Sequence, residues 1–263
     1  MNTLLFPLYG NLSAFGGEDS QFNHRNTRRE PTKGSVVGLI ANAFGMKRVD
    51  DTSHLSTLPM GVRIDRPHSS IMVDYHTAMN IPLSSGRGRT GEVARRYEIV
   101  EGKIRAKKYE LVGKKSDYEK TVLSHRSYLC DAAFLVGLES EDEALLEGIE
   151  WALRHPVRVL YLGRRSCSLS IPAHLPDGGI RRGVGLDQAL MEEPSLEPIL
   201  PEISRGRNWF SKLPMEFVFE KTPRLPSDLP VFLEERVRDV PMGSRKFSKR
   251  KIVRVMLPRK NGV

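Results

Sequence analysis

Residues 158–167 read Arg-Val-Leu-Tyr-Leu-Gly-Arg-Arg-Ser-Cys, an apolar stretch that delivers a glycine, two arginines and a hydroxyl into one turn. That set suits an anion, because a backbone turn, two guanidiniums and Ser166 can converge on it. Bidentate pairing with phosphate explains arginine rather than lysine at Arg164 and Arg165. Alone, the same residues also describe an ordinary surface turn. A second set, Pro31-Thr32-Lys33-Gly34-Ser35, opens a helix, where unpaired N–H groups favour phosphate. Arg25, Arg28 and Arg29 stand just before it, and the plain alternative is a helix capped by Thr32 or Ser35. Arg126 and Tyr128 lie one strand period apart, on one face, and suit a clamp on a phosphate and a base. Asp74-Tyr75-His76-Thr77 adds a ring that can stack on a base and an imidazole that can donate to one. His76 equally fits a satisfied loop histidine.

Residues that make or break bonds are less well supplied. Asp50-Asp51 has no His or Cys at ligand spacing, so it reads as capping or as pairing with Arg48. Cys130 and Cys167 are too few for a disulfide framework or a metal site, and Cys130 reads as core packing. Gly86-Arg87-Gly88-Arg89 is a flexible basic loop without the Gly-Lys-Ser/Thr ending of a nucleotide-binding loop. No cofactor and no metal are expected.

These residues must be positioned by a small set of elements. A strand is expected over 2–9, with Pro7 marking a bulge or an early end. A helix over 35–44 follows, with Val36, Val37, Ile40, Ala43 and Phe44 at helical spacing and Gly45 as its stop. Short strands are expected at 61–66 and 158–162, and a stronger one at 128–138, apolar enough to be buried on both faces. Ser140-Glu141-Asp142-Glu143 starts a helix to about Arg154, with Leu145, Ile149 and Leu153 inward. The order β-α-β-insertion-β-α-β is that of a ferredoxin-like, RRM-like α+β core. The core is assigned to 1–66 and 124–172, the insertion to 67–123. Within the insertion, 92–111 alternates like a β-hairpin thumb turning at Glu101-Gly102, with Arg105, Lys107 and Lys108 exposed. Twelve of the 17 prolines lie at or after Pro156. Residues 173–263 are therefore expected to form a smaller, loop-rich β module over the open face of the sheet, with strands at 215–220 and 251–257 and a basic tail.

Length and composition fit an ordinary globular chain of 263 residues, 39% hydrophobic and 28% charged. No apolar run approaches the about 18–20 residues a membrane span needs. The first residues lack the charged region and cleavage site of a signal peptide, so a cytoplasmic protein with reduced thiols and no membrane partner is expected. The net charge of +9 suits a polyanion, and its distribution strengthens that reading. Residues 241–263 hold eight Lys/Arg and no acid, 22–48 hold six against Glu30, and 81–120 hold eleven against six acids. By contrast, 139–150 carry six acids and no base. The strand at 128–138 lacks the basic-Gly-aromatic signature of an RRM, so RNA contact is expected from loops, helix ends and the insertion.

The Gly163–Cys167 turn, the Arg126–Ala132 run, Pro31–Ser35, Asp50-Asp51 and Asp74–Thr77 together resemble the CasD-type subunits of type I-E CRISPR Cascade complexes. The resemblance covers roughly 1–80 and 124–172. The insertion is longer and more basic than in that family, and the stretch from about Pro176 matches poorly. The resemblance implies a non-catalytic protein that holds the 5′ handle of the guide RNA and caps a backbone of repeated subunits. Its implied partners are that backbone subunit, the large subunit, the guide RNA and, indirectly, target DNA. The alternative is a metal-independent endoribonuclease that processes precursor guide RNA, as in the related I-C subunit. Its base would be His76 or His125, helped by Tyr75 and by Lys33 or Lys120.

Overall fold

A computed structural model describes residues 1–17, 23–47, 49–81, 97–100, 103–106, 120–201, 210, 213–241 and 247–259. The fold is mixed α and β, mostly antiparallel sheet with few helices. Its elements in chain order begin with β1 (Asn2–Tyr9), β2 (Leu12–Ser13), β3 (His24–Arg25), α1 (Lys33–Ala43), α2 (Ser53–Ser56) and β4 (Met60–Arg66). Then come β5 (Ser70–Ile81), β6 (Tyr97–Val100), β7 (Lys103–Ala106), β8 (Lys120–Cys130), β9 (Ala133–Ser140) and α3 (Glu143–Arg154). The chain continues through β10 (Ile180–Arg182), α4 (Leu186–Glu192), β11 (Met215–Glu220), β12 (Val231–Pro241) and β13 (Phe247–Leu257). Among the described residues no helix is long and apolar enough to cross a membrane.

The main sheet has seven strands in the order β10-β1-β9-β4-β11-β13-β12. Its central strands are buried on both faces, as their continuous apolar runs require. On one face Leu4, Phe6, Leu8, Phe134, Val136, Val62 and Ile64 meet α1 and α3, which contribute Val36, Ile40, Leu146, Ile149 and Leu153. On the other, Leu5, Tyr9, Leu135 and Phe219 meet Leu186 and Leu190 of α4. Gly61 and Gly137 are register partners across β4 and β9. A Cβ on either would come within 2.6 or 2.7 Å of a leucine of α4, so the glycines form the shallow spot on which that helix rests.

Three expectations about elements change. Residues 128–138 are not one strand: Asp131, at φ 58°, turns the chain out of β8 into β9. That left-handed residue carries the backbone from a second, four-stranded sheet (β2, β3, β5 and β8) into the main one. Residues 158–162 are not a strand either; they leave α3 through Pro156 and make only a Tyr161–Ser168 bridge, with Val159 82% exposed. Beside β1 stands Ile180–Arg182 instead. The C-terminal strands do not cover a face. They continue the sheet edge-on from β4 through β11, β13 and β12, because the open edge of β4 offers unpaired backbone groups to β11.

The helices begin where the sequence indicates, with small shifts. Thr32 is the cap of α1, its Oγ1 accepting from Ser35 N at 3.3 Å, so the helix opens at Lys33. Asp142 caps α3 by accepting from Leu145 N at 3.0 Å, while Ser140 accepts from Asp142 N. Asp50 and Asp51 cap local turns, accepting from Lys47 N and from Ser53 N and Oγ. Tyr97–Val100 and Lys103–Ala106 pair antiparallel from Val100–Lys103 outward, as a two-stranded sheet of their own.

Candidate nucleic-acid interface

The turn at Gly163 is built by three backbone hydrogen bonds. Leu162 N donates to Cys167 O at 2.7 Å and Cys167 N to Arg164 O at 2.9 Å, while Ala14 N donates to Leu162 O at 3.1 Å. Gly163 sits at φ 82°, in the left-handed region that glycine enters freely. Upstream, Val157 N donates to Ala43 O, and the Arg158 guanidinium holds the carbonyls of Gly45 and Met46. The turn is thus fastened both to the end of β2 and to the end of α1. Cys167 is buried, and burial raises its thiol pKa despite the Ser166 and Arg164 contacts, so it packs rather than reacts.

Arg164 faces the four-stranded sheet. Its guanidinium carbon lies 4.6 Å from the centroid of the Tyr128 ring, and its Nη2 donates to the carbonyl of Arg25 at 2.7 Å. Tyr128 is buried beneath it. Two residues away on the same face of β8 stands Arg126, and β3 pairs parallel with β8 so that Arg25 lies opposite Arg126. Arg25, Arg126 and Arg164 therefore share one surface, with Arg165 and Ser166 exposed at the rim of the turn. Two donors on that surface, Arg126 Nε and Arg164 Nη1, are buried with no hydrogen-bond partner among the described residues.

Beside this surface opens a cavity of about 470 Å³ between the Gly163 turn, the start of α1 and the β12–β13 pair. Arg25, Ser35, Gly38, Arg164, Arg238 and Phe247 line it. The helix start does not meet it as an anion site awaiting a ligand. Lys33 N donates to Asp239 Oδ2 at 2.8 Å, so a carboxylate of β12 already occupies the positive end of α1. Asp239 is held in turn by Arg250 Nε at 2.7 Å and Nη2 at 2.9 Å. Burial pushes its pKa up, but the Arg250 hydrogen bonds and charge outweigh that, with Lys33 adding to the downward shift.

The remaining predicted residues are dispersed. Lys33 is 2% exposed and paired with Glu220 at 2.7 Å, so it faces a strand rather than solvent. Arg28 is tied to Glu30 and Glu235, each at 2.8 Å, in a network that Arg254 completes. Thr32 is buried, its hydroxyl donating to Phe15 O, and Ser35 donates to Thr32 O while reaching the cavity. Tyr75 and His76 alternate to opposite faces of β5. His76 is held by Asp74, and Tyr75, 57% exposed, meets the edge of His125 at 5.4 Å. Arg105 lies on β7, while Lys107 and Lys108 fall outside the described residues. The sequence reading missed Arg238, Asp239 and Phe247. The signal was the alternation Arg236-Val237-Arg238-Asp239, in which Val237 and Asp239 are buried while Arg236 and Arg238 face out.

This arginine-lined surface, set on a mixed and mostly antiparallel fold, is the candidate interface. The comparisons then place the chain among known proteins. The family model described as "CRISPR-associated protein (Cas_Cas5)" matches residues 3–253. The CRISPR system Cascade subunit CasD of Escherichia coli (strain K12) is 31% identical over 179 residues, covering 65% of this chain and 69% of that protein. A solved structure described as "Crystal structure of Cas protein" superimposes with a TM-score of 0.61 at 31% identity, over 97% of this chain and 95% of the other. A chain of a "CRISPR RNA-guided surveillance complex", at 23% identity, shares the fold with a TM-score of 0.60, over 97% and 91%. The chain belongs to the CRISPR-associated Cas5 family. The match through residue 253 includes β11, β12 and the first part of β13, so the family pattern extends well past Pro176.

Proposed function

We propose that the chain is a non-catalytic RNA-binding subunit of a type I-E Cascade effector, holding the 5′ handle of a guide RNA and capping a backbone of repeated subunits. One observation carries this reading: Arg25, Arg126 and Arg164 share one surface, with Arg25, Arg165 and Ser166 exposed along it. Phosphate oxygens fit, because a guanidinium fork meets them with two donors at once. Arg165, Ser166 and Ser35 extend the same path toward the cavity beside α1. The likeness to CasD, a Cascade subunit, supports the assembly, and the repeated backbone subunit, the large subunit and, indirectly, target DNA complete its partners in the cytoplasm.

We read β1-α1-β4-β9-α3-β10 as a ferredoxin-like core, since its strands stand in the order β10-β1-β9-β4. Residues 67–123 are then the insertion, with the β6–β7 pair as a thumb that lies along RNA. The stretch 173–263 gives one strand to the core and three that widen its sheet. The endoribonuclease reading loses support from the arrangement of its parts, since His76 turns from Tyr75 toward Asp74 and Lys33 is buried against Glu220.

The test is binding and cleavage of labelled, repeat-derived RNA by the purified protein. Replacing Arg126 and Arg164 by Ala should weaken binding while leaving thermal unfolding near that of the parent. Each charge-assisted contact is worth about 1.5–3 kcal/mol, so the loss is readily measured. Specific cleavage that disappears in His125→Ala would falsify the non-catalytic reading.

A further inference from the structure

The surface opposite the arginines has its own chemistry. Alternation along β8 sends His125 to the face away from Arg126, and the parallel β3–β8 pairing brings His24 beside it. The two imidazoles stack, with centroids 5.2 Å apart and planes 12° from parallel. Tyr75, opposite His125 in the β5–β8 register, closes edge-on against the pair. All three rings are exposed, and the same face continues in exposed Ile71, Val73 and Leu123. None of these residues carries a fixed charge, while the other face of the same strands carries Arg25, Arg126 and Asp74 and is met by Arg164 from the Gly163 turn.

We propose that His24, His125 and Tyr75 form a stacking platform for unpaired nucleobases of the bound RNA. The proposal rests on the RNA-binding reading above and assigns it a second contact of different kind. His125 lies between Tyr75 and His24, so a base adds to the stack on the outer face of His24 at the sheet edge; every base offers a π-face, so the site tolerates sequence. The placement favours nucleic acid over a protein partner. β3 is only two residues long and forms the edge of the sheet there, so a single strand crossing that edge leaves phosphates by Arg25 and Arg126 and turns bases onto His24.

The experiment uses the full chain and three eight-nucleotide probes: oligoadenylate, oligouridylate and an abasic ribose-phosphate oligomer, with affinity read by fluorescence anisotropy. The parent should prefer oligoadenylate over the abasic probe, because purines stack more strongly. His24→Leu/His125→Leu should lower oligoadenylate affinity by about tenfold, the low end for loss of one base stack, and leave the abasic probe unaffected. His24→Phe/His125→Phe should retain the parent preference, since a phenyl face stacks without donating or accepting protons. Equal binding of all three probes by the parent overturns the proposal and leaves phosphate recognition standing. Unchanged oligoadenylate affinity in the double Leu variant overturns it too, and gives the face to a protein partner. Failure of the parent to bind any probe overturns this inference and the RNA-binding function together.

Discussion

A methyl group on Gly163 would lie 1.8 Å from the carbonyl oxygen of Ala14. The turn that presents Arg164 and Arg165 is therefore pressed directly onto the strand that precedes the first arginine cluster. Gly163→Ala meets both that overlap and a positive φ, so it should cost about 2 kcal/mol, with the melting temperature falling by roughly 4–8 °C. RNA affinity should fall as well, because the turn cannot stay in place. A variant as stable as its parent would show that the turn is loosely held.

Arg164→Lys keeps the charge but not the fork. The guanidinium stacks on Tyr128 and reaches the Arg25 carbonyl while retaining a spare donor. Lysine cannot do all three, so RNA affinity should fall by about tenfold, which corresponds to about 1.4 kcal/mol. Titration of the same labelled RNA by both proteins at one salt concentration checks this.

Lys33 should behave as a structural residue. Replacing it by Met leaves Glu220 with Arg250 at 3.7 Å and without its closer partner, which should cost about 1–3 kcal/mol. Adding Glu220→Leu should restore much of that stability. RNA binding, measured below the melting temperature, should change little in either variant.

Asp239 gives a pH dependence of known sign. Its pKa is held down in the folded protein, mainly by Arg250 against the cost of burial. A depressed carboxyl contributes stability that is complete above its unfolded value of about 3.9 and disappears as pH falls through the folded value. Asp239→Asn should therefore be less stable than the parent at pH 7, and the gap should close on acidification below about pH 4. Urea midpoints at pH 7, 5 and 3 measure it; a gap that stays constant would rule out the linkage.

Arg105, Lys107 and Lys108 test the thumb. If all three neutralise phosphates, the triple Ala variant should lower the slope of log affinity against log salt by about 2, from roughly 0.7 per contact on a single strand. An unaltered slope would remove them from the interface.

What the sequence made legible was local. The glycine-arginine turn, the Thr32 cap and the shared face of Arg126 and Tyr128 all follow from neighbours within a few positions. The fate of Lys33 does not, because the carboxylate that claims it arrives on β11, and the Asp239 that claims its backbone arrives on β12. A basic residue at a helix start looks the same whether it meets a phosphate or the protein's own carboxylate. The three residues of β10 are too few to show a period, whereas 158–162 has a strand's composition but is pulled away by the end of α1. Asp131, a residue type that enters the left-handed region more readily than most, was the one mark of the turn in an otherwise apolar run, and it was too slight to stop two strands reading as one.

The pairing of β4 with β11 also sets a timetable. At about 5–20 residues per second, the ribosome needs roughly 7–30 s to travel from Arg66 to Met215. During that interval the rest of the sheet can assemble while the outer edge of β4 waits unpaired, open to any passing strand. Production of this protein should therefore depend on chaperone supply and on translation speed between those two points, and aggregation should be decided before synthesis ends rather than after.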